Sequence, residues 1–192
     1  MRNNTEKEGL NAMNQPLVRR FAAFLVDWYL STFLAMLPVI VFQSINGRDL
    51  VIQNTLDGLS FPQAAASTLL AVGIWLLYFC VFPLLGKGAF RVGQTPGRRL
   101  FGLDLTPVRG ERLSFASLFL RDGVGVFLLQ GNLTSVNVYL MSLLTTATGA
   151  QVIPYFHSVY YLCILVSLIL LFAKKGRMLQ DLIGGTQVVL KA

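Results

Sequence analysis

The chain has 192 residues, of which 54% are hydrophobic and only 13% charged, and its mean hydropathy is +0.61. An ordinary soluble domain carries about a quarter charged residues, so the composition excludes a typical water-soluble globular protein and makes a membrane the expected solvent. The 16 Lys and Arg against 9 Asp and Glu leave a net charge of +7; in a membrane chain this surplus first reports topology, and no basic run is long enough to indicate nucleic-acid binding.

The polar start, residues 1–20, reads as a cytoplasmic N-terminal segment. It has no signal-peptide pattern, because the apolar run after it is long, holds an Asp and lacks a small-residue cleavage site. Residues 21–192 read as one transmembrane domain. Its first span is expected at about Phe21 to Phe42, with Pro38 near the outer end, and its second at about Ala64 to Leu85. In the loop that follows, Pro96-Gly97 favours a turn, and Arg98-Arg99-Leu100-Phe101 suits a short interfacial helix with Arg98 and Arg99 at lipid headgroups. Leu103 to Val108 and Gln187 to Leu190 read as short strands. Arg109-Gly110 suits a tight turn, so a small cytoplasmic β-hairpin, with the tail strand added, is expected.

The third apolar element, Phe115 to Leu129, is short and is interrupted by Arg121, Asp122, Gly123 and Gly125; it is read as a crossing extended by Val136 to Leu144. The fourth runs from about Pro154 to Ala173. Cys80 and Cys163 fall inside apolar runs and read as small buried side chains rather than a disulfide or metal pair. His157 stands among Tyr155, Phe156, Tyr160 and Tyr161, an interfacial aromatic belt, with no second ligand at metal-binding spacing.

Basic residues set the sidedness. Arg2, Lys7, Arg19 and Arg20 precede the first span, and Lys174, Lys175, Arg177 and Lys191 follow the last. Lys87, Arg91, Arg98, Arg99, Arg109 and Arg112 lie between spans two and three, whereas the remaining loops offer only Arg48, beside Asp49 and Asp57. Both termini and the middle loop should therefore be cytoplasmic, which requires a crossing between residues 113 and 150. The expected architecture is an all-α polytopic bundle of four transmembrane helices.

Asp27 lies seven residues after Arg20, about 10 Å deeper along a helix axis. A carboxylate near a helix centre costs on the order of 2.5–3.5 kcal/mol on insertion scales, so it should face protein or water and have a partner. Ala23, Asp27, Ser31 and Ala35 form a stripe of small or polar residues along which another helix could approach closely. Arg121, beside Asp122, is the expected partner of Asp27 through a guanidinium–carboxylate pair. That pair could be a fixed lock, or Asp27 could titrate or bind an ion. Arg20 reads as a boundary residue reaching lipid phosphate, and Asp181 as forming a local pair with Arg177 four residues before it.

These residues also carry a resemblance. Arg20-Phe21-Ala22-Ala23-Phe24-Leu25-Val26-Asp27 resembles the signature of RDD family membrane proteins. The segment from Gly93-Gln94-Thr95-Pro96-Gly97-Arg98 to Leu103 resembles that family's cytoplasmic segment, with Arg98 where a Lys is common, and Arg177 to Thr186 resembles its C-terminal motif. The resemblance implies that the family's one Arg and two Asp map onto Arg20, Asp27 and Asp181. It also implies transport of unidentified ligands, with cation/proton exchange in some members and membrane partnership in larger assemblies in others. Gln180 departs from the pattern, since a His often precedes the second Asp there; a proton relay through that position is not available to this chain.

No catalytic arrangement is visible, and neither an enzyme activity nor a cofactor is expected. The expected function is a small secondary transporter using Asp27, with a monovalent cation or proton as its cargo; the alternative is a non-catalytic scaffold or partner subunit with a structural Asp–Arg pair. Four spans make a thin wall for a pathway, so a homo-oligomer or a membrane-protein partner is expected, with membrane lipids around it. A bacterial inner membrane is the expected location.

Overall fold

The computed structural model describes residues 3–47, 55–86, 90–108, 110, 112–150, 153–173 and 177–190. Several residues used above for sidedness, Arg2, Arg48, Asp49, Lys87, Arg109, Lys174, Lys175 and Lys191, lie outside the described residues. Among the described residues, three helices are long and apolar enough to cross a bilayer: Leu17–Ile45, Phe61–Leu85 and Ile153–Leu170.

Helix α1 (Asn3–Ile45) carries the first of them. Its small-residue stripe is buried at every position, with Ala23, Asp27, Ser31 and Ala35 all at most 5% exposed, while Tyr29, Phe33, Leu37 and Val41 face outward. The division matches a helix that packs on protein along one side and on acyl chains along the other. Helix α2 (Phe61–Leu76) starts where the Ser60 N–H donates to Gln63 Oε1 at 3.1 Å and Pro62 occupies the first turn. It continues through a π-helical turn, Leu77–Val81, into α3 (Phe82–Leu85). Pro83 offers no N–H to the preceding turn, the usual cause of such a local widening, and Gly86 ends the helix in the left-handed region at φ 51°.

Helix α4 (Pro96–Leu100) is a single turn capped by Thr95, whose hydroxyl accepts from the Arg98 N–H. Strand β1 (Leu103–Pro107) follows. The third apolar element is built in pieces: α5 (Phe115–Leu118), a second π-helical turn Phe119–Gly125, α6 (Val126–Gln130), a 3-10 turn Gly131–Leu133 and α7 (Ser135–Thr148). The break at Gly131 is stabilised by Asn137, whose Nδ2 donates to the carbonyls of Gly131 at 2.7 Å and Phe127 at 3.0 Å. Helix α8 (Ile153–Ala173) is followed by the short α9 (Leu179–Ile183) and strand β2 (Thr186–Leu190).

Both expected strands form, but among the described residues no return strand follows β1 to make a hairpin. β1 pairs instead with β2, antiparallel, from Leu103 opposite Leu190 to Pro107 opposite Thr186. The residues beyond Gly110 cannot supply a return strand because Ser114 already caps α5, its hydroxyl accepting from the Ser117 N–H at 3.2 Å.

The apolar core lies where α1, α2 and α7 meet, built from Ala35, Val39, Ala71, Trp75, Val136 and Tyr139. Helix α8 stands apart from it. It packs on α6, the 3-10 turn and α9, and most of its surface is exposed.

Candidate functional site: a buried arginine–aspartate network

The segments that carry the sequence resemblance converge in space. Asp27, on the buried stripe of α1, is held by three neutral donors from two other parts of the chain. Tyr78 Oη, in the first π-helical turn, donates to Oδ1 at 2.7 Å; Thr95 Oγ1 donates to Oδ2 at 2.5 Å; and the Gly97 N–H donates to Oδ1 at 2.8 Å. Pro96 at the first position of α4 and the Thr95 cap aim the Gly97 N–H at the carboxylate. Gly97 is required for that approach, because a Cβ there would collide with the Ala23 carbonyl and stand 2.8 Å from Asp27 Cγ.

The expected Asp27–Arg121 pair is therefore not made. Arg121, fully surrounded in the second π-helical turn, donates from Nε and Nη2 to Asp181 Oδ1 at 3.1 and 3.0 Å, and from Nη1 to the adjacent Asp122. The physical reason is saturation on both sides: hydroxyl and N–H donors already occupy both Asp27 oxygens, while two nearer carboxylates take the guanidinium.

Arg20 and Arg98 also depart from the headgroup roles expected of them. Arg20 Nη2 donates to Asp181 Oδ2 at 2.5 Å. Arg98, only 7% exposed, donates from Nη2 to both oxygens of Asp122 at 2.9 and 3.0 Å and from Nη1 to the Gly93 carbonyl. Its one-turn helix lies against α1, so the side chain points into protein rather than toward a bilayer surface. Arg99, next in sequence, is exposed, with its guanidinium 4.4 Å above the Phe90 ring.

The result is a continuous chain of ion pairs, Arg20–Asp181–Arg121–Asp122–Arg98, beside the separately capped Asp27. Asp181 gains a further donor from the Met178 N–H at 3.0 Å. Arg177 reaches the Asp181 backbone carbonyl, at 3.5 Å, and not its carboxylate, which Arg20 and Arg121 already occupy. Burial alone would push the Asp181 carboxyl up; Arg121 and Arg20 outweigh it and hold the group below the ordinary aspartate range.

Tyr78, Thr95 and Gly97 were not singled out as Asp27 partners from sequence. The Thr-Pro cap signature at 95–96 could have placed an N–H-rich helix start here, but no sequence signal aims it at residue 27.

A cavity of about 450 Å³ adjoins the network. Arg20, Asp27, Arg98, Arg121, Asp122 and Gln180 border it, and the rest of its wall is largely aliphatic and aromatic. Three donors point their hydrogens at Asp27, and among the described residues no group of three His, Cys, Asp or Glu could hold a metal.

Taken together, the apolar helices point to an integral membrane protein, one whose interior holds a buried arginine–aspartate network. The RDD family model matches residues 15–185, and the chain belongs to that family. No curated protein and no solved structure matches it.

Proposed function

We propose that the protein is a non-catalytic membrane binding or partner module in which the arginine–aspartate network is a permanent structural lock. The observation that carries this reading is the state of Asp27: both carboxylate oxygens accept from neutral donors of other segments, and the residue is 5% exposed. A carboxylate that shuttled protons or ions would need a hydrated approach, whereas three donors already occupy most of the acceptor capacity of Asp27.

The proposed topology has both ends and the β1–β2 sheet on the cytoplasmic side of a bacterial inner membrane. The fourth crossing is then the broken helix from α5 to α7. Packing of the second π-helical turn on the first, and of α7 on α2 and α1, supports a path through the bilayer in two halves.

A second reading, cation/proton exchange through Asp27, is favoured by one observation, that Asp27 borders the cavity. Proteoliposome flux of protons and monovalent cations separates the two. The lock predicts no flux above empty vesicles for wild type or Asp27→Asn, with a lower melting temperature for the variant. Flux in wild type that Asp27→Asn abolishes would establish the exchanger instead.

A further inference from the structure

Phe21 and Phe24 of α1 and Ile164 and Leu168 of α8 line the cavity beside the network. The main packing of α1 is on α2, α4 and α7, while that of α8 is on α6, the 3-10 turn and α9, so these walls belong to separately packed helices. Phe21, Ile164 and Leu168 are also exposed on the outer surface of the two apolar helices, which puts the opening on the bilayer side of the molecule. The buried part of the wall is polar yet neutral. Three guanidinium groups, Arg20, Arg98 and Arg121, are balanced by three carboxylates: Asp27 and Asp122 in the wall itself, and Asp181, which pairs with Arg20 and Arg121. A charged ligand of either sign would find no opposite charge left to compensate it. Two uncharged groups do keep hydrogen-bonding capacity. The Gln180 side-chain amide makes no hydrogen bond among the described residues. Ser167 of α8, only 7% exposed, accepts from the N–H of the neighbouring Leu179 at 3.3 Å, and its own proton has no acceptor among the described residues.

An apolar slot open to lipid, whose charges balance one another and whose spare hydrogen-bonding groups are neutral, matches an uncharged amphiphile. We infer that the cavity binds an uncharged single-chain lipid, with its hydrocarbon tail between α1 and α8 and a hydroxyl or carbonyl head at Gln180 and Ser167. The volume lies within the range of about 300–1,000 Å³ found for small-molecule sites. An oxygen in the head gives the Gln180 amide the partner it lacks, whereas a formal charge there would leave water without gaining a counter-ion. This assignment rests on the binding-module reading and names its ligand class.

The test is native mass spectrometry of the full chain released from phosphatidylcholine nanodiscs that contain, at neutral pH, one of four probes sharing the same hydrocarbon chain length: oleyl alcohol, octadecene, oleate or oleylammonium. One oleyl alcohol per chain should be retained, about fivefold better than octadecene, the effect of one net hydrogen bond, and better than either ion. Gln180→Leu, which keeps the size of the side chain and removes its amide, should bring oleyl alcohol down to the level of octadecene and leave octadecene unchanged, a loss of preference that misfolding would not produce. Ile164→Trp, which fills the slot, should lose the alcohol adduct; Leu162→Trp, on the exposed side of the same helix, should keep it. The inference is overturned by absence of the adduct, by equal retention of oleyl alcohol and octadecene, by stronger retention of oleate or oleylammonium, by a preference that survives Gln180→Leu, or by identical behaviour of the two Trp variants. Cation flux in the proteoliposome experiment would remove the binding-module reading alone, because lipid retention is measured without a gradient.

Discussion

Thr95 and Thr68 are both fully buried threonines, yet their hydroxyls are in opposite circumstances. Thr95 Oγ1 donates to the Asp27 carboxylate and accepts from the Arg98 N–H, whereas Thr68 Oγ1 has no hydrogen-bond partner among the described residues. Hydrogen bonds to charged groups contribute about 1.5–3 kcal/mol, and an unpaired buried hydroxyl is itself a cost. Thr95→Val should therefore lower stability by about 2–3 kcal/mol, and Thr68→Val should be neutral or stabilising by up to about 1 kcal/mol. Thermal unfolding in detergent, read by loss of helical circular dichroism, distinguishes them; a larger loss for Thr68→Val would contradict the geometry. Composition alone shows a threonine in each place. Only the fold says which one is spent on a carboxylate.

Glycines make the same point for whole elements. Gly97 lets α4 close onto α1, and Gly184 lets α9 close onto the second π-helical turn, where a Cβ would stand 2.5 Å from Arg121 Cβ and 2.9 Å from the Ser117 carbonyl. Gly73, inside α2, has nothing within 4 Å of where its Cβ would be. Overpacking costs about 1–3 kcal/mol, more when the neighbour is backbone, while replacing an unconstrained helical glycine by alanine gains about 0.5–1 kcal/mol. Gly97→Ala should accordingly lower the melting temperature and Gly73→Ala raise it or leave it unchanged. The spans around residues 21–42, 64–85 and 154–173 were legible because run length in oil is a local property. The interior of the third element was less so. Its polar and glycine residues mark a π-helical turn and a break at Gly131, features set by which neighbours take the freed backbone groups.

Across the molecule, the network joins residue 20 at the start of the first span to residue 181 near the end of the chain, and the β1–β2 pairing joins the middle loop to the same end. Closure of this kind makes Asp181 a point on which several segments depend. Removing one partner of a buried ionic cluster costs about 3–5 kcal/mol, so Asp181→Asn should destabilise the whole domain in one transition rather than fray its tail. The pH dependence has a definite sign. A carboxyl held below its ordinary value in the folded state adds stability that is present above the unfolded value, about 3.9 for aspartate, and is lost as pH falls through the lower folded value. The melting temperature of the wild type should drop on acidification below about pH 4, and that of Asp181→Asn should drop less. Parallel curves would mean that the pairing contributes nothing to folding.

The amino-acid sequence by itself determined that the chain lives in a membrane, where three of its helices lie, that Asp27 is buried on a small-residue stripe, and that it belongs with the RDD proteins. Each of these follows from local composition, period or motif. Tertiary structure alone decided the partners: neutral donors rather than Arg121 on Asp27, Asp181 and Asp122 on Arg121, Asp122 on Arg98, and a sheet made from one strand of the middle loop and one near residue 190. The reason is physical. Burial demands that a charge be compensated, but several groups of the right chemistry can compensate it, and the choice among them is made by which backbones can approach closely enough.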